Sequence, residues 1–159
     1  MNTELQHFGA ALTALFDELD WARLGRSYCE GDGSTFFDEE LRSRVLEVGL
    51  QLADDVAGGL PKDGVRRSLY VGAAVAELAP ILAESVVLGR EVCWVNLAGD
   101  EVEELVRALQ IVSTKLGFVL PQPSTEPLAN LPVAQFDHVW MVSVLTDPDA
   151  FPALHDQLY

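Results

Sequence analysis

Ser68-Leu-Tyr-Val-Gly-Ala-Ala-Val-Ala-Glu-Leu78 decides the fold of this chain. The run from Val65 to Val71 reads as a strand, Gly72 and the small residues after it as a turn, and Glu77 to Val87 as a helix. Phe136-Asp-His-Val-Trp-Met-Val-Ser-Val-Leu-Thr-Asp-Pro148 repeats the arrangement: a buried strand from Phe136 to Leu145, then a helix opening at Asp147-Pro148. Between them, Glu91 to Leu97 reads as a strand and Asp100 to Leu116 as a helix with Val102, Leu105, Val106, Leu109, Val112 and Leu116 on one side. Asp100 with Glu103 three residues later predicts an N-cap arrangement. Phe118-Val-Leu120 predicts an edge strand stopped by Pro121 and Pro123. Strands alternating with helices of this length imply βαβ units and a parallel sheet.

Ahead of this lies a helical part. Leu5, Phe8, Leu12, Leu15, Phe16 and Leu19 recur at three- and four-residue intervals and predict an amphipathic helix from Thr3 to Leu19. Gly25 to Ser34 collects turn formers and breaks the pattern, and a second helix is predicted from Asp38 to Val56, ending at Gly58-Gly59. The Pro- and Gly-rich stretch from Gly58 to Gly64 marks the boundary between a helical extension, 1–60, and an α/β core, 65–159.

With 159 residues, 49% hydrophobic and 22% charged, the chain is long enough for one well-buried core and short for two domains. A formal net charge of -15 argues against nucleic acid and anionic membrane, which require clustered Lys and Arg. The acidity reads as solubility or as a patch for a basic partner. Cys29 and Cys93 suggest no disulfide framework, so a reducing cytoplasm is expected. The sequence has no basic-then-apolar leader after Met1 and no apolar run near the roughly twenty residues that span a bilayer. His7, His138 and His155 lack ligand spacing, so no metal site is expected, and Gly-x-Ser-x-Gly, Cys-x-x-Cys and Walker motifs are absent from the sequence.

The segments around Gly72 and Phe136 resemble the first and fourth strands of class I S-adenosylmethionine-dependent methyltransferases. In that family the first strand ends in an acid and Gly-x-Gly-x-Gly. Here the register reads Tyr70-Val-Gly72-Ala-Ala74-Val-Ala76, with Tyr70 replacing the acid and Ala74 and Ala76 replacing the later glycines. Each Ala adds a methyl group where a ligand passes close, and at a positive φ costs about 1 kcal/mol. The second strand normally ends in a ribose-binding acid, and Asn96 stands there. Phe136-Asp137-x-Val, an apolar run and Asp147-Pro148 fit the fourth-strand pattern, which puts Met141, Ser143 and Thr146 beside the methyl-transfer site.

The resemblance implies a Rossmann-like, mostly parallel sheet of order 3-2-1-4 with helices on both faces. It implies an S-adenosylmethionine site of Tyr70, Gly72, Ala74, Asn96, Met141 and Ser143 at the carboxyl ends of the strands, with catalytic residues unassigned. The family's fifth strand and final hairpin have no counterpart before Tyr159, which points to the front part of a longer protein or to a shortened fold. An exposed strand edge then favours self-association. Two functions stand side by side: a divergent methyltransferase acting on a small molecule or protein, and a non-catalytic interaction module of the same fold. A dinucleotide-binding domain is the weakest option, because Gly-x-Gly-x-x-Gly and an acid after the second strand are missing. Tyr28, Phe36 and Phe37 between the N-terminal helices read either as a lid over the substrate or as packing on the sheet, whereas Trp94 and Trp140, inside apolar runs, read as core residues rather than as a stacking platform.

Overall fold

The computed structural model describes residues 3–29, 33–59, 67–131 and 135–141. Four parallel strands, β1 (Arg67–Val71), β2 (Glu91–Val95), β3 (Pro123–Ser124) and β4 (His138–Met141), form one sheet in the order β3-β2-β1-β4. This is the Rossmann-like α/β architecture expected from the alternation of elements. Because side chains alternate along a strand, the register that pairs Tyr70 with Trp94 and Trp140 puts these three on one face. Leu69, Val71 and Val95 occupy the other, with Leu131 and Phe136 against them.

The helices α1 (Thr3–Glu18), α2 (Trp21–Tyr28), α3 (Glu39–Gly59), α4 (Leu78–Leu82) and α5 (Asp100–Leu116) contribute to the Tyr70–Trp94 side. Leu12 and Leu15 of α1 join Leu105, Leu109 and Val112 of α5 and Ile81 and Leu82 of α4 in one cluster. The helical extension is therefore packed onto the α/β core.

Four local readings change. Residues 21–28 are helical, where a break was expected from Gly25 onward. Gly25 is there for close approach: a Cβ would stand 2.1 Å from the Gly33 carbonyl oxygen, so only glycine fits. The chain after Leu116 does not form a strand at Phe118 to Leu120; the Leu120 N–H donates to Ser113 Oγ, folding the segment onto the end of α5, and Pro123–Ser124 makes the edge strand. Gly99, not Asp100, is the N-cap of α5, and Asp100 and Glu103 instead bind Arg23 at 2.9 and 2.6 Å. The fourth strand alternates between half-buried and exposed positions, with Val139 45% and Met141 51% exposed. Its expected continuation to Leu145 and the helix at Asp147-Pro148 lie outside the described residues.

The helix between β1 and β2 is compound: a 3-10 turn, Val75–Glu77, leads into α4, and a π-helical turn, Ala83–Val87, follows it. Glu84 in that π turn sends a fully buried carboxylate under the sheet. It accepts from the hydroxyls of Ser68 and Tyr70, from Trp140 Nε1 at 3.0 Å and from Arg90 Nη1 at 3.3 Å. No described helix is long and apolar enough to cross a membrane.

Candidate functional site

A cavity of about 690 Å³ opens at the carboxyl ends of β1 and β2, where open α/β sheets place ligands. It is lined by Val71, Gly72 and Ala74 from the end of β1 and its turn, by Asn96 to Ala98 after β2, and by Tyr28, Phe36 and Phe37 together with Glu101 at the start of α5. Pro127 and Leu128 from the segment after β3 close another edge.

The turn after β1 is built differently from a glycine-rich loop. Gly72 alone has a left-handed backbone, φ 72°, and its N–H donates to the Val95 carbonyl at 2.9 Å. Ala74 has φ -131°, a conformation open to any residue, so its methyl group brings no backbone strain. The chain then closes at once into the 3-10 turn, and Glu77 reaches back to accept the Ala74 N–H at 2.7 Å. Trp94 Nε1 and Asn96 Nδ2 both donate to the Ala73 carbonyl, at 2.8 and 2.9 Å. Asn96 is thus the residue this turn requires: a carboxylate at the same place would set two acceptors against each other.

Of the residues expected at a cofactor site, Gly72, Ala74 and Asn96 meet at the cavity. Tyr70 does not. One residue earlier than Val71 on the strand, it faces the helices, 2% exposed, with its hydroxyl on Glu84 at 2.6 Å. Burial, then that hydrogen bond and the Glu84 charge, hold the phenol far above its ordinary range. Met141 pairs with Val71 at the far side of β1 and faces outward, off the cavity lining. Ser143 and Thr146 lie outside the described residues. Trp94 is a core residue, while Trp140 is half-buried and spends its indole N–H on Glu84.

Two acids that the sequence reading did not single out for the site line this cavity. Glu77, 6% exposed, and Glu101, in the first turn of α5, both line the cavity. Tyr28 donates its hydroxyl to Glu101. Burial raises the pKa of each carboxyl; at Glu101 the Tyr28 hydrogen bond opposes the rise and the charge of Glu77 adds to it. Burial and the neighbouring acids likewise push the Tyr28 phenol up. Among the described residues the lining holds three glutamates, with Glu126, and no Lys, Arg or His. Tyr28, Phe36 and Phe37 line the cavity, and Phe37 is also packed in the core. Phe37 is buried against Trp21, with ring centroids 5.3 Å apart, and all three rings face the cavity.

The sequence carried a signal for Glu77, an acid three residues beyond a strand-end turn whose side chain can cap that turn. For Glu101 it carried none, since acids in a helix first turn are ordinarily explained by the dipole. Compared with family models, curated proteins and solved structures, the chain matches none.

Proposed function

We propose that this chain is a divergent methyltransferase-type domain that binds S-adenosylmethionine in the cavity above Gly72. The observation that carries the reading is the placement of a cavity of about 690 Å³ at the strand ends, lined among the described residues by three glutamates, of which Glu77 is buried, and by no basic side chain. That volume lies within the roughly 300–1,000 Å³ of small-molecule sites. A ligand with sulfonium and ammonium groups matches the sign of the lining, whereas a phosphate does not, because the Ala74 N–H is taken and a carboxylate stands beside it. This weighs against a dinucleotide.

Gly72 and Ala74 would support the cofactor from below, and the exposed Leu97 and Ala98 would border its apolar part. When bound, S-adenosylmethionine supplies an electrophilic methyl group on a positively charged sulfur. The chain's own part is then to position an acceptor and exclude water, a proximity effect, with the acceptor a small molecule or a protein. Calorimetric titration with S-adenosylmethionine and S-adenosylhomocysteine tests this. Micromolar binding, lost in Ala74→Leu with the fold retained, supports the reading, and no heat or thermal shift at millimolar ligand overturns it.

A second reading has its own observation. The polar groups of the turn are satisfied internally, Ala73 oxygen by Trp94 and Asn96 and Ala74 N–H by Glu77. That suits a non-catalytic module with an interaction surface on β4, where Val139 and Met141 are exposed and a second copy would cover the edge. Sedimentation of the intact chain, compared with Val139→Lys, separates it from the first: a dimer dissolved by the substitution favours the module.

A further inference from the structure

The cavity has two unlike ends. Around β2 it brings Val71, Val95 and Leu97 together with Asn96 and, from the chain after β3, Thr125 and Glu126. Toward α2 it combines the rings of Tyr28 and Phe36, nearly parallel at 3° with centroids 5.9 Å apart, with the carboxylates of Glu77 and Glu101. Tyr28 and Phe36 are 46% and 39% exposed although they belong to a packed aromatic group with Phe37. Rings of this kind offer π faces to a cation, and two interacting carboxylates supply the long-range attraction.

The contacts made by these acids come from uncharged donors and bring no counter-charge to them. Glu77 accepts a backbone N–H and Glu101 a phenol, both uncharged donors. Two buried acids elsewhere are treated differently: Glu84 meets Arg90 and Glu104 meets Arg107. The acidic end of the cavity therefore differs from the structural acids by lacking a cationic partner among the described residues, while having aromatic walls and room for one.

We propose that the end of the cavity formed by Tyr28, Phe36, Glu77 and Glu101 is a subsite for an organic cation, an alkylated ammonium group carried by a small molecule. This goes beyond cofactor binding and does not depend on it. A carboxylate pair draws the charge in, the rings take the alkyl groups, and the phenol of Tyr28 holds Glu101 in orientation. An ammonium group of low hydration is favoured over a metal ion, because apolar ring surface forms much of the wall and no three His, Cys, Asp or Glu gather to hold a metal among the described residues.

The test uses choline and its neutral isostere 3,3-dimethylbutan-1-ol, followed by amide NMR shifts of the intact chain. Saturable choline shifts at Tyr28, Ala74 and Glu101, with none from the isostere, are expected. Glu101→Gln should weaken choline roughly tenfold by removing one of the charges that attract the ammonium group. Glu103→Gln removes the same charge from outside the cavity and should leave choline binding unchanged. Equal shifts from both compounds, no shifts from either, or choline binding indifferent to Glu101→Gln would each overturn the subsite. S-adenosylmethionine binding without choline binding would remove this proposal alone; choline binding without S-adenosylmethionine binding would remove the cofactor reading alone.

Discussion

Glu84 and Glu104 lie beneath the helices beside arginines, whereas Glu77 and Glu101 lie on the cavity beside neutral donors. The first pair is structural. Glu84 gathers four donors from β1, β4 and the chain after the π turn, and Glu104 binds Arg107 through both oxygens while accepting the Asp20 N–H at 2.7 Å. Burial pushes the Glu104 carboxyl up, but Arg107 and the Asp20 N–H outweigh it and leave its pKa below the ordinary value. Burial acts on Glu77 and Glu101 with no arginine to oppose it, and their pKa values rise. The difference teaches that burial of an acid does not by itself mark a ligand site; burial without a counter-charge, on a cavity, does.

The comparison can be broken most severely at Glu84. Glu84→Ala removes the acceptor shared by Ser68, Tyr70, Trp140 and Arg90 and is expected to cost about 3–5 kcal/mol in urea denaturation at neutral pH. A loss below about 1 kcal/mol would mean that the cluster is not a structural hub. Glu104→Ala should cost less, roughly 1–3 kcal/mol, because Arg107 and Arg23 remain partly in water. Gly49→Ala probes the joint between the helical extension and the cavity floor. Its Cβ would stand 2.8 Å from the Ala76 oxygen, so α3 must move, at about 1–3 kcal/mol, and Ala74 and Glu77 amide shifts should change with it.

The smallest effect is the most telling for the two classes of acid. Glu77 and Glu101 hold protons more tightly in the folded chain than in the unfolded one, so their stabilising contribution is full below the unfolded carboxylate range and is lost as pH rises through their folded values. Glu104 has the opposite sign: its contribution is present above the unfolded pKa and lost as pH falls through its lowered value. Glu101→Gln should therefore raise Tm at pH 7 by a small amount, under about 4 °C, and leave it unchanged near pH 4. A lower Tm at neutral pH would place Glu101 among the structural acids instead.

The sheet was legible because Leu69 to Val71, Val92 to Val95 and Val139 to Met141 are apolar runs with turn residues after the first two, whereas the strand order was an expectation from the family resemblance, which the sheet matches. Gly72 was legible as the glycine kept in the turn after the first strand, where the backbone is left-handed. What failed depends on distant contacts. Gly25 looks like a turn former until Gly33 is seen against it, and Tyr70 looks like an altered cofactor residue until the strand's alternation turns it toward Glu84. Glu101 and Tyr28 are 73 residues apart and meet only after α2 and α5 have packed. Local sequence carries no trace of such a meeting.

The central claim is that the cavity acids carry charge for a cation to complete. Carbon-detected NMR titration of the Glu101 carboxyl, with and without choline, tests it most directly. The account predicts a pKa above the ordinary carboxylate value in the free chain and a clear fall when choline is added. An ordinary value that choline leaves unmoved would contradict it.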